Sequence, residues 1–237
     1  MRGRLAVLQL LLPSPARPNY AGEFEADCAV HLIGTVAGAA GAAVLLALAA
    51  KSAETRVLCS ALAYGVGLLA MLGCSAAYHL RRIRKRRDLL RRLDHAAIFV
   101  MIAGTYTPFT ACVLGGSSAI WLTGAVWLAA LGGVIVKIVY PRRYEWGSTA
   151  VYVVMGWAVI IFMQPSLATI DRSILVLLLS GGGLYTLGAC IHRWRRLPFH
   201  DAIWHSSVLG AAGLHYAAIL YGVVLSAPPG LTSIATK

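Results

Sequence analysis

Two four-residue spacings in this chain bring together side chains that can do chemistry: Ser75-x-x-x-His79 and Asp201-x-x-x-His205, with His200 just before the second and Asp94 between the two. Residues four apart lie on one helix face about one turn from each other. Each spacing therefore sets an imidazole beside an oxygen group. Neutral imidazoles plus a carboxylate, drawn from different helices, are what Zn²⁺ takes in a catalytic site, where three protein ligands leave one position open for water. A hydroxyl one turn from such a ligand suits a water or oxyanion hydrogen bond. A nearby carboxylate orients a histidine or accepts a proton. His200 and His205 are five apart, which rotates them away from each other in a regular helix, although Pro198 puts His200 in a first turn that distorts easily.

The elements that must position these residues follow from composition. The chain has 237 residues, 59% of them hydrophobic and 13% charged, against a charged fraction of about a quarter for soluble domains. This is the composition of a membrane protein. The net charge of +12 does not point to nucleic acid, because the cations cluster in short breaks between apolar stretches and no basic-aromatic interleaving accompanies them. Five scattered cysteines give neither a disulfide framework nor a thiolate metal cluster. The start, MRGRLAVLQLLLPSPARP, has its apolar run broken by Pro13 and Pro15 and reads as a cytoplasmic or interfacial lead-in.

A spanning helix needs about 20 mostly apolar residues. Seven windows meet that length: 28–50, 56–79, 94–114, 118–139, 147–164, 173–191 and 200–226. The expected fold is all-α, with an N-terminal segment 1–27, one transmembrane domain 28–226 and a short tail 227–237. No alternating pattern suggests a barrel, so backbone groups in lipid must be paired within helices. Cations gather after the second, fourth and sixth windows, from Arg81 to Arg92, at Arg142 and Arg143, and at Arg193, Arg195 and Arg196. The positive-inside rule makes that side cytoplasmic, with the N-terminus inside and the C-terminus outside.

This topology gives the polar residues a common depth. His79 ends the second helix, Asp94 begins the third, and His200, Asp201 and His205 begin the seventh, while Glu23, Glu25, Asp27 and His31 lead into the first. All lie at the cytoplasmic level, and ionisable residues inside a membrane are functional candidates by default. Simpler roles exist for each alone: a snorkelling histidine, or an Asp94 ion pair with Arg91 or Arg92. Glu23 and Glu25 read as solvated interface residues or partners of loop arginines, His192 as a loop residue, and His215, near mid-bilayer, as a packing or hydrogen-bonding residue. The six tryptophans read as interface anchors and packing.

The stretch RRLDHAAIFVMIAGTYTPF, with SAAYH before it and FHDAIWH and GAAGLHYAAIL after it, resembles the hemolysin III family. That family is the bacterial branch of the progestin and adipoQ receptor group, within a wider seven-helix set that includes alkaline ceramidases. The similarity runs from GEFEADCAVH to the last helix. It implies a zinc site near the cytoplasmic face, with Ser-x-x-x-His on the second helix, Asp on the third and His-x-x-x-His on the seventh. Carried over, these are Ser75 and His79, Asp94, and His205. The first position of the final pair is Asp201 here, with His200 one place earlier, so either Asp201 or His200 is the expected third ligand. Ser75 and Asp94 are the expected catalytic residues.

The Ala, Gly and Arg richness and short loops fit a multi-pass protein of a bacterial inner membrane, and the resemblance implies one that meets membrane lipids, as a zinc-dependent lipid-amide hydrolase or a lipid sensor. One alternative is a non-enzymatic regulator of membrane lipid or energetic homeostasis with a structural metal. Another is a haemolysin-like pore, ranked last because no helix offers a continuous polar stripe for an aqueous lumen.

Overall fold

The computed structural model describes residues 21–80, 86–114, 116–140, 145–162, 170–194 and 196–228. The lead-in 1–20, the cationic positions 81–85 and 141–144, and the tail from 229 lie outside the described residues. Among the described residues seven α-helices follow in chain order: α1 (Glu23–Ala49), α2 (Thr55–Leu80), α3 (Arg87–Phe109), α4 (Gly116–Val139), α5 (Glu145–Phe162), α6 (Arg172–Arg193) and α7 (His200–Ile219). No strand occurs among the described residues. All but α5 are long and apolar enough to cross a bilayer, and their outward faces are apolar, with Leu32, Ile120, Trp121 and Leu128 all more than three-fifths exposed. In water those faces would be aggregation surfaces; in a bilayer they are solvated by lipid chains. The protein is a multi-pass membrane protein.

Two helix starts differ from the sequence expectation, and both matter for the site. The first helix begins at Glu23 rather than 28, because Gly22 takes a left-handed conformation (φ 81°) and turns the chain into the helix before the acidic residues. Glu23 is consequently buried, whereas Glu25 stays exposed. The third helix begins at Arg87 rather than 94. Its cationic first turns are good helix formers, and Arg92 donates to the carbonyl of Ile138 at the end of α4 (2.7 Å), satisfying a carbonyl the helix end leaves open. Asp94 thus sits two turns inside α3.

Close helix contact depends on absent side chains. A Cβ at Gly104 of α3 would lie 2.8 Å from the carbonyl oxygen of Ala63 in α2, and one at Gly67 would lie 3.0 Å from Cα of Met101. Small residues let backbones approach this closely in membranes, where packing rather than water exclusion holds helices together. Pro108 lies within α3 and the chain passes into a π turn, Thr110–Leu114. The Thr110 hydroxyl donates to the carbonyl of Tyr106 there, at 3.1 Å, one of the side-chain contacts that keep irregular backbone paired in lipid.

Buried Leu45, Tyr64, Leu68, Met101 and Ile219 form a core between α1, α2, α3 and α7, and Phe99, Tyr106, Val126 and Met155 form another between α3, α4 and α5. The turn into α7 is tight. Phe199 adopts a left-handed conformation (φ 55°), strained for a residue with a Cβ, and this reversal lays α7 against α6. Tyr152 of α5 donates to the carbonyl of His95 in α3 at 2.8 Å.

Candidate metal centre

Asp27 and His31 are four apart near the start of α1 and therefore share one face; both are buried. His79 lies in the last turn of α2 and His205 in the second turn of α7. The bundle brings these four together, with one donor atom from each within 4.8 Å of the others. The imidazole of His31 stacks on that of His79 (centroids 4.9 Å apart), and His205 meets the other two at 4.3 and 4.4 Å.

The carboxylate of Asp27 organises the group. Its Oδ1 lies 2.6 Å from Nδ1 of His205 and its Oδ2 lies 3.3 Å from Nδ1 of His79. An ionised carboxylate only accepts, so each Nδ1 supplies the proton. In the neutral imidazoles, Nε2 of His79 and of His205 then carries a free lone pair. Nε2 of His31 is 3.6 Å from Oδ2 of Asp27, too far for a hydrogen bond, and is buried without a hydrogen-bond partner. Buried imidazoles crowded together with unmatched nitrogens are costly alone. One cation among them removes the cost, and three imidazoles with a carboxylate behind them are a donor set that suits Zn²⁺. The residues present therefore fit a divalent metal.

The cluster opens into a cavity of about 910 Å³. Ser75, Asp94 and Asp201 line it beside the cluster, and Tyr185 and His215 line it deeper in the bundle. Of the sequence candidates, His79 and His205 are thus in the four-residue group, and Ser75 and Asp94 face the same space from α2 and α3. Asp201 and His200, the two candidates for a third ligand, lie outside that group and pair with each other, His200 Nε2 to Asp201 Oδ1 at 3.2 Å. The five-residue step to His205 takes His200 off the shared face, and α1 fills the remaining positions with Asp27 and His31. The clue to those two was their own i, i+4 spacing, obscured by reading the acidic stretch as lying before the helix. His192, read as a loop residue, belongs to the last turn of α6, where its ring packs 5.2 Å from that of Trp204.

Comparison with known proteins adds independent findings. Residues 26–216 match the family model described as haemolysin-III related. The chain is similar to the hemolysin-3 homolog of Bacillus subtilis (strain 168), 37% identical over 196 residues, covering 83% of this chain and 92% of that protein. It is 35% identical over 209 residues to hemolysin-3 of Bacillus cereus, covering 88% and 95%. Against the monocyte to macrophage differentiation factor of Homo sapiens it is 30% identical over 205 residues, covering 83% of each. No solved structure gives a significant match.

Proposed function

Since the chain belongs to the haemolysin III-related family, we propose that it is an integral membrane protein that holds Zn²⁺ at the Asp27, His31, His79 and His205 cluster and hydrolyses an acyl amide of a lipid admitted to the adjoining cavity. The observation that carries this reading is the continuity of the two features: the buried donor cluster forms part of the wall of a lipid-sized cavity. A bound Zn²⁺ supplies Lewis-acid polarisation of a carbonyl and acidifies bound water.

The chain's own residues supply the remainder. His31, His79 and His205 hold the ion through their nitrogens. Asp27 fixes the tautomer and tilt of two of those rings by accepting from their Nδ1–H groups. Ser75, one turn before His79 on α2, presents a hydroxyl to a developing oxyanion, and Asp94 on α3 carries a proton between water and the leaving amine. The surrounding apolar wall excludes bulk water and strengthens these contacts. The clustered cations support placing this end of the bundle at the cytoplasmic face of the inner membrane.

A second reading has one observation in its favour: the cluster joins α1, α2 and α7, so a metal there would also fasten the bundle as a structural tie. In that role the protein regulates membrane lipid or energetic state without hydrolysis. Metal analysis of purified wild type and His205→Ala, joined to a lipid-amide hydrolysis screen, tests the proposal. Stoichiometric zinc and amide cleavage in wild type, both lost in His205→Ala, are expected. A well-folded preparation without metal would remove the hydrolase reading, and metal without cleavage would favour the tie.

A further inference from the structure

Ten residues beyond His205 along α7, about 15 Å further by helical rise, His215 lines the same cavity. Its Nε2 lies 3.2 Å from the carbonyl oxygen of Leu178. A carbonyl can only accept, so that nitrogen carries the proton and Nδ1 of the neutral ring is an acceptor. This Nδ1 is buried and has no hydrogen-bond partner. Beside it Tyr185 of α6, also in the cavity wall, meets the ring edge to face with centroids 5.5 Å apart, and its hydroxyl is likewise buried and unpartnered. The His215 ring is held in place: a Cβ at Gly181 would overlap it.

The neighbouring polar groups of this wall are matched within the protein. Trp157 Nε1 donates to Thr186 Oγ1 at 3.0 Å, and Thr186 donates onward to the carbonyl of Gly182 at 2.8 Å. Thr105 donates to the carbonyl of Met101 at 2.8 Å and Tyr106 to that of Met155 at 2.5 Å. An unmatched donor and an unmatched acceptor thus stand together at the deep end of the cavity, among neighbours whose hydrogen bonds are made. In a bilayer no bulk water reaches such groups, so a bound molecule is the natural partner.

We propose that Tyr185 and His215 form a subsite for the hydroxyl group of a lipid chain bound in the cavity. A single alcohol satisfies both: its O–H donates to Nδ1 of His215 while its oxygen accepts from the Tyr185 hydroxyl. A ketone or ether oxygen has no proton for Nδ1, and a plain methylene chain matches neither group. Between this pair and the histidine cluster the wall includes Leu72, Ile98, Met101 and Val208, which suit a hydrocarbon segment. The ligand is therefore an amphiphile with its polar head at the cluster and a hydroxyl well down its chain. The subsite acts whether or not the cluster cleaves anything, so the inference does not rest on hydrolysis.

The test compares ricinoleate with oleate, two acids that differ by a mid-chain hydroxyl, binding to the full protein in lipid nanodiscs. Wild type is expected to bind ricinoleate about tenfold more tightly, the scale of one to two net hydrogen bonds. Tyr185→Phe, which removes only the hydroxyl, should bring ricinoleate to the level of oleate and leave oleate unchanged. Equal affinities in wild type, a preference that survives Tyr185→Phe, or binding of neither acid would overturn the proposal and leave the pair to a trapped water. Should Tyr185→Phe not fold, the wild-type comparison of the two acids decides alone.

Discussion

Oδ1 of Asp27 and Nδ1 of His205 lie 2.6 Å apart, although 178 residues separate them in the chain. The same carboxylate reaches His79 through its other oxygen, so one acidic side chain sets the orientation of two imidazoles from different helices.

Asp27→Asn keeps the shape but offers one acceptor where two are needed, and its amide N–H₂ faces an imidazole N–H. Zinc affinity should fall by about 10- to 100-fold, the usual cost of losing a carboxylate behind a metal-bound histidine. Competition with a chromogenic chelator measures it. Unchanged affinity would mean that Asp27 has no part in holding the rings.

The histidines of α1 and α7 should separate cleanly. His31→Ala is expected to abolish stoichiometric metal binding, while His200→Ala, which removes a partner of Asp201 outside the group, should retain it. Mass-spectrometric metal counting on both variants decides; the reverse pattern would move the site to the first turn of α7.

Cleavage and metal retention should also part company. Ser75→Ala and Asp94→Asn leave the four-residue group intact, so zinc should stay bound while amide hydrolysis drops by about 100-fold or more, the scale of losing an oxyanion donor or a general acid–base group. Full cleavage in both variants would mean that neither side chain takes part in the reaction.

Gly104→Ala places a methyl group against the Ala63 carbonyl, a backbone atom with no freedom to withdraw. Destabilisation of about 1–3 kcal/mol is expected from overpacking, read as earlier thermal unfolding in detergent. An unchanged transition would show that α2 and α3 can separate without penalty.

At the start of α6, Asp171 accepts the Ser173 backbone N–H at 2.7 Å, which holds its carboxyl below the ordinary range. A lowered value means stability that is present above the unfolded-state pKa and is lost as pH falls through the folded one. The advantage of wild type over Asp171→Ala in thermal unfolding should be full near neutrality and vanish in strong acid. An advantage independent of pH would assign the effect to helix propensity instead of the cap.

The helices were legible because an apolar stretch long enough to cross a bilayer leaves few other structures open. The common level of His79, Asp94 and His205 was legible from the order of the apolar stretches, and the face that Ser75 shares with His79 from their four-residue spacing. Asp27 and His31 were harder, since acidic residues ahead of an apolar run look the same whether they precede a helix or form its first buried turns; the left-handed turn at Gly22 decides, and only packing of α1 against α2 and α7 shows where its face points. His192 was hidden for a similar reason. A histidine beside arginines reads as exposed until the turn at Phe199 folds Trp204 back onto it. The Tyr185 and His215 pair left no periodic signature, because its significance lies in two atoms without partners.

The donor cluster draws on the first helix and the last. A ribosome delivers α1 long before α7, so during synthesis Asp27 and His31 enter the lipid with no third helix to meet, and a chain halted after α6 holds an incomplete set of ligands. Any uptake of a metal by this cluster therefore belongs to a chain that already holds α7, since one halted before it lacks the His205 imidazole.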